Sequence, residues 1–307
     1  TPARAMPDYA MFAVTAPGLE SLAAAELRAV GAKQVRAEEG GVGFTGGRET
    51  LYAANLWLRT ANRVLVRVAE FHASEFHELE RRARRVPWER HVAPGRPVRF
   101  RVTCRKSKLY HSDAVAQRFA GAVAATLGDG ALARPAPASG AADQDDEGDD
   151  AQLFVVRIAH DECTVSADSS GALLHQRGYR QAVARAPLRE TLAAAMLMAA
   201  GWPPATPLVD PMCGSGTSME VAREMGIRAV GLDLHSGFDI CRESIRARLG
   251  EEADLCLSHP PYAGMIVYSG QVWGDAPHPA DLSRCTSNEK FVDLLEVALL
   301  NQRDATR

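Results

Sequence analysis

Leu208-Val209-Asp210-Pro211-Met212-Cys213-Gly214-Ser215-Gly216-Thr217 runs an apolar strand straight into a loop with two closely spaced glycines, and a helical pattern starts at Ser218. Glycines at such a turn let the backbone approach a ligand at the carboxyl edge of a parallel sheet. The loop lacks the GxGxxG spacing and the lysine of a P-loop, which argues against a dinucleotide or nucleoside triphosphate site. Outward from it, the pattern predicts strand Pro207 to Pro211, helix Ser218 to Met225, strand Arg228 to Leu234 and helix Ile240 to Leu249. Strand Ala253 to Leu257 and a late helix from Glu289 to Asn301 follow. A further helix, LRETLAAAMLMAAG, starts behind Pro187. Alternation of this kind implies a parallel sheet covered by helices. Asp233 ends the second strand, where a carboxylate can accept both hydroxyls of a ribose.

Ser258-His259-Pro260-Pro261-Tyr262 closes the third strand. Consecutive prolines fix the backbone and remove two donors, and the tyrosine ring offers a stacking surface. Such a corner suits a planar exocyclic amine. A neutral imidazole at His259 has one acceptor nitrogen for it, and a protonated one has none.

The first part of the chain reads as a different class. Strand Tyr9 to Ala16, a helix carrying Leu22, Leu27 and Val30, a hairpin at Gly40-Gly41 and helix Arg48 to Leu58 form one small α+β group. Strand Val64 to Phe71, helix Ser74 to Val86, strand Val98 to Cys104, helix Ser112 to Leu127 with Ser112 as N-cap, and strands Leu153 to Ile158 and Glu162 to Ala167 form a second. Between helix Ser112 to Leu127 and strand Leu153 to Ile158 lies ARPAPASGAADQDDEGDD, whose composition cannot build a core and predicts a disordered acidic surface loop near residues 131–151.

Charge is unevenly spread. The chain of 307 residues has a formal net charge of -3, which excludes a dedicated polycation, yet residues 1–130 hold 20 Lys and Arg against 13 acids. Residues 81–118 hold 12 basic residues and two acids, including Arg105, Lys106, Lys108 and the neighbouring His111, a density that suits a phosphate backbone. The six cysteines include no Cys-x-x-Cys pair and no histidine at ligand spacing, so the sequence predicts neither disulfides nor a metal site and fits a reducing, cytoplasmic setting. No run approaches the roughly 20 apolar residues of a membrane helix, and no signal peptide is visible.

Three features together resemble a known family. The DPxxGxGT-type loop at Asp210 with Asp233 at the next strand end resembles the class I S-adenosylmethionine methyltransferases. CRKSKLYHSDAVAQR resembles the THUMP RNA-binding module. LLHQRGYRQAVARAPLRETLAAAML leading into PLVDPMCGSGT resembles the bacterial THUMP-containing guanine-N2 methyltransferases of large-subunit ribosomal RNA, a likeness covering about residues 9–217. It implies an α/β protein: a ferredoxin-like α+β domain at 1–60, a THUMP domain at 61–172, and a Rossmann-like methyltransferase domain at 185–307. It further implies S-adenosylmethionine held by Asp210, Pro211, Cys213, Gly214, Gly216 and Asp233, and catalysis at His259, Pro260, Pro261 and Tyr262. RNA, by expectation ribosomal, would be bound by Arg105, Lys106, Lys108 and His111, with no metal and no membrane.

Past Thr217 the residues SMEVAREMGIRAVGLDLHSGFDI and SHPPYAGMIVYSGQVWGD look more like a bacterial DNA amino-methyltransferase, which keeps DNA open as a partner and suggests a chimera joined near Thr217. In the amino-methylating enzymes the corner reads Asp, Asn or Ser before Pro-Pro-Tyr, and here His259 takes that position. Between Leu249 and Ala253 there is no room for another strand and helix, so the methyltransferase core is expected to be abridged. An inactive RNA-binding remnant is the third reading.

Overall fold

The computed structural model describes residues 8–128, 150–176, 188–201, 207–271 and 276–306. The chain divides into two compact units, Thr1–Leu174 and His175–Arg307. The acidic loop expected near 131–151 and Pro187 lie outside the described residues, apart from Asp150 and Ala151 at the loop's end.

The first unit contains β1 (Tyr9–Thr15), α1 (Glu20–Ala29), β2 (Lys33–Glu38), β3 (Gly41–Gly46), α2 (Arg48–Trp57), β4 (Ala61–His72), α3 (Phe76–Ala83), β5 (Val98–Arg105), α4 (Ser112–Leu127), β6 (Gln152–Ala159) and β7 (Glu162–Asp168). Its seven strands form one sheet in the order β2-β3-β1-β4-β7-β6-β5. All neighbours run antiparallel except β5 and β6, which the α4 crossover makes parallel.

The boundary expected at 60/61 falls at the start of β4, and the sheet does not break there. The first half of β4 pairs with β1 and the second half with β7, with a register shift between Arg67 and Ala69. Two hydrophobic cores divide along the same strand. Ala61, Val64 and Val66 pack with Leu27, Val42 and Phe44, while Ala69 and Phe71 join the core of Trp88, Phe100, Phe119 and Phe154. Trp88 meets all three phenylalanines edge-on, and its indole N–H donates to the Ala83 carbonyl at 2.9 Å, so the ring is buried without an unmet donor. On the opposite side of the sheet Arg63 and Asp168 form an ion pair of 2.5 Å with both side chains almost fully buried.

Two local expectations in this unit are corrected. Ser112 does not cap α4; the helix starts on it and His111 is the N-cap, without a side-chain capping bond. Helix α3 is shorter than Ser74 to Val86, because the Glu78 carboxylate accepts from the Ser74 N–H and hydroxyl and holds the chain extended ahead of it.

The second unit contains α5 (Glu190–Ala199), β8 (Leu208–Asp210), α6 (Thr217–Glu224), β9 (Ala229–Gly231), α7 (Ile245–Leu249), β10 (Leu255–Cys256) and α8 (Asn288–Ala305). The strands form a parallel sheet in the order β10-β8-β9. Successive residues of β8 face opposite cores: Leu208 packs among α5 and α6 residues, and Val209 packs with Ile245 and Ala298 of α7 and α8. Helix α7 spans only Ile245–Leu249, not Ile240 to Leu249. Asp239 accepts from the Cys241 N–H and Glu243 reaches back to the Asp239 N–H, local bonds that replace a helical turn. Asn301 of α8 then fixes this bend by donating to the Ile240 and Glu243 carbonyls and accepting from the Ile245 N–H. Among the described residues no helix is long and apolar enough to cross a membrane.

Candidate active site and nucleic-acid surface

Because β8 lies between β10 and β9, the loops leaving the three strands emerge side by side at one sheet edge. The loop after β8 is tied down by Asp210. Its carboxylate is buried, accepts from the Met212 N–H at 3.0 Å and from the Ser218 hydroxyl, and so joins the strand end to the first turn of α6. Burial pushes this carboxyl up to about 6, with nearby Asp233 adding to the rise and the two hydrogen bonds opposing it. Ser218 is thus part of the loop's construction, which its position inside a helical pattern did not reveal.

Gly216 caps α6 with φ of 86°, a left-handed conformation that disfavours any residue with a Cβ. Around Gly214 and Gly216 no heavy atom lies within 4 Å of where a Cβ would stand, so backbone borders open space there. Gly231 has the opposite reason: a Cβ would sit 2.9 Å from Cys213 Sγ, and its absence lets the loop close onto β9. Burial also pushes the Cys213 thiol up to about 12, which keeps it protonated.

Asp233 is placed at the edge but is engaged. One carboxylate oxygen accepts from the Gly214 N–H at 3.0 Å and the other from the His235 N–H at 2.9 Å. Each oxygen retains a lone pair, so the side chain can hold the loop and still accept a ligand hydroxyl. An open glycine backbone beside such an acceptor fits the ribose and amino-acid ends of S-adenosylmethionine.

At the end of β10, His259 Nε2 lies 3.0 Å from the Tyr262 hydroxyl, with the two rings edge-on at 5.5 Å. The corner is therefore closed on itself: the acceptor expected for a substrate amine meets the residue expected to stack on the base. Pro260 and Pro261 lie between them and are half-buried. Ser258 points the other way, its hydroxyl donating to Gln302 Oε1 of α8 at 3.1 Å, and Gln302 is itself buried. Gln302 gave no sequence signal, since it lies 44 residues downstream in a helix.

In the first unit the expected basic residues converge only in part. Arg105 is exposed but paired with Glu39 of the β2–β3 turn at 2.7 Å, and the guanidinium holds that carboxyl below its usual range. Lys106 and Lys108 are exposed, and so are Arg81, Arg82, Arg84 and Arg85 on and after α3. His111 lies against Tyr110, with ring centroids 4.0 Å apart. Among the described residues no cluster of three or more His, Cys, Asp or Glu could hold a metal ion.

Residues 10–65 match the RlmL ferredoxin-like domain, and residues 177–232 match the RMKL-like methyltransferase domain. The second match runs on to Leu232, so the likeness extends past Thr217 through β9. Ribosomal RNA large subunit methyltransferase K/L of Syntrophotalea carbinolica is 42% identical over 211 residues, covering 67% of this chain and 28% of its own length. A predicted N6-adenine-specific DNA methylase from Listeria monocytogenes has a similar structure, with a TM-score of 0.60 and 34% identity over 72% of this chain and 56% of that one. SMU.472, a candidate methyltransferase solved with S-adenosylhomocysteine, covers 98% of this chain and 88% of its own at a TM-score of 0.66 and 21% identity, which shows a shared fold. The chain spans about half the length, or less, of the curated relatives it matches. These likenesses fit a THUMP-type class I methyltransferase: a ferredoxin-like N-terminal domain and a Rossmann-like methyltransferase fold.

Proposed function

We propose that this chain is part of an S-adenosylmethionine-dependent methyltransferase that binds RNA and methylates an exocyclic base amine, guanine N2 of large-subunit ribosomal RNA. The observation that carries the reading is the order β10-β8-β9, which sets the His259 corner and the Asp210 loop at the carboxyl ends of adjoining strands. Asp210, Pro211, Cys213, Gly214, Gly216 and Asp233 would hold the cofactor, which when bound supplies an electrophilic methyl group. The chain's own residues orient the nucleophile. His259 Nε2 accepts a hydrogen bond from the target amine in the neutral tautomer that keeps this nitrogen unprotonated, and Tyr262 stacks on the base once its hydroxyl has left Nε2. A paired base cannot reach such a corner without leaving its stack, so the substrate presents it unpaired or flipped. Residues 61–172 act as the RNA-binding THUMP domain in this reading.

A DNA adenine-N6 or cytosine-N4 amino group is the second reading, favoured by the residues after Thr217 and by the Listeria likeness. Calorimetric titration with S-adenosylmethionine and transfer of labelled methyl groups to ribosomal RNA fragments or DNA, followed by nucleoside analysis, test both. N2-methylguanosine is the expected product. Labelled N6-methyladenine or N4-methylcytosine in DNA favours the second reading, and cofactor-free RNA binding leaves an RNA-binding remnant.

A further inference from the structure

The segment between β5 and α4, Lys106-Ser107-Lys108-Leu109-Tyr110-His111, is held rigidly for a surface loop. Asp161, in the turn between β6 and β7, accepts from the Ser107 hydroxyl at 2.7 Å and from the Lys108 N–H at 2.8 Å. Ser107 Oγ accepts in turn from the Leu109 N–H at 3.0 Å, and the Leu109 side chain is buried in the Trp88 core. Anchoring Leu109 inward leaves Tyr110 outward: the residue is 69% exposed, more than any other tyrosine, tryptophan or phenylalanine among those described. The imidazole of His111, tilted at 42°, stands beside part of the phenol ring. Lys106 and Lys108 are exposed on the same short segment, which contains no acid, and Asp161 is committed to the loop's own donors.

Tyr110 belongs to neither hydrophobic core of the first unit, and a loop held by these bonds presents its ring with less entropy cost of ordering on contact. We propose that Tyr110, backed by His111, is a stacking platform for one unpaired RNA base whose neighbouring phosphates are taken by Lys106 and Lys108. Stacking tolerates any base because each has a π-face, and two lysines supply point charges without reading sequence. The assignment rests on the RNA reading above and is independent of the methyl-transfer reading.

The test is fluorescence anisotropy of the whole chain with a labelled RNA hairpin bearing an open loop, its fully paired counterpart, and single-stranded DNA of the loop sequence, each over a salt series. Tyr110→Ala weakens hairpin binding roughly tenfold, spares the paired RNA and leaves the salt slope unchanged, because no counterion contact is lost. Tyr110→Phe binds as the parent does. Lys106→Ala with Lys108→Ala weakens both RNAs and flattens the slope. If the parent binds RNA and Tyr110→Ala binds the hairpin equally well, or weakens both RNAs alike, the platform is overturned while the RNA reading stands. If the parent binds none of the RNAs, the RNA reading itself has failed. Tighter binding of the DNA strand than of the hairpin overturns the assignment to RNA.

Discussion

Replacing Asp210 with Asn should make the second unit more stable at neutral pH, although it removes a charged group from the middle of a hydrogen-bonded loop. The carboxyl is buried at the end of β8 and its pKa is pushed from the usual 3.8 up to about 6. Between those values the folded chain holds a proton that the unfolded chain has released, so stability falls as pH rises through the window. Above about pH 6 the folded state carries the whole cost of the buried charge. At about 1.4 kcal/mol per tenfold change in proton affinity, this cost is about 3 kcal/mol at pH 7.

Asn keeps an acceptor for the Met212 N–H and can donate to Ser218 Oγ, so the loop's two bonds survive without the charge. The difference between variant and parent should therefore be near zero at pH 4 and grow to at most about 3 kcal/mol by pH 7. Two compact units need not unfold in one two-state transition, so the local measure is amide exchange of peptides covering β8 and α6, compared at matched pH so that intrinsic rates cancel. A difference that stays flat between pH 4 and pH 8 would refute the reasoning, and so would an Asn variant that opens more readily than the parent at pH 7.

Variants at three other places separate the parts of the proposed function. Asp233→Ala removes the acceptor beside the glycine loop and frees the Gly214 N–H, so S-adenosylmethionine binding by calorimetry should weaken by about 1.5–3 kcal/mol. For His259, the Ala variant should lose most turnover while cofactor binding holds, and His259→Asn, which keeps an acceptor for the amine, should retain it. Joint replacement of Arg105, Lys106 and Lys108 by Ala should weaken all RNA sequences alike and reduce the salt slope, with Arg105 contributing least since Glu39 already occupies it. A triple variant with the parent's slope would remove these residues from the interface.

What was legible in the sequence is what local chemistry determines. An apolar strand ending in Asp-Pro and two glycines must turn sharply into the following helix, and β8, Gly216 and α6 do so. Strand limits in the first unit were readable within a few residues because β5, β6 and β7 alternate cleanly between core and opposite face. Pairing was not readable. That β4 serves two partners depends on which distant strands meet it, and a boundary drawn from helix and strand order alone cuts a sheet that runs through. The bend at Asp239 to Glu243 was hidden for a related reason: its apolar spacing is helical, and side-chain bonds to the backbone outcompete it only with Asn301 of α8 in place.

The corner at His259 shows how far a motif carries. Its residues and their place at a strand end follow from the sequence, since two prolines after an apolar run must leave the sheet. Whether the acceptor nitrogen faces a substrate depends on what else can reach it, and three residues along, Tyr262 does. A hydrogen bond between imidazole and phenol satisfies both groups, so a base amine at Nε2 must replace an existing partner. Exchange of one hydrogen bond for another is close to neutral, and the gain on binding must then come from stacking on the released Tyr262 ring. Under the proposed function, discrimination at this corner would lie in the fit of the base plane to Tyr262 rather than in the strength of the bond to His259.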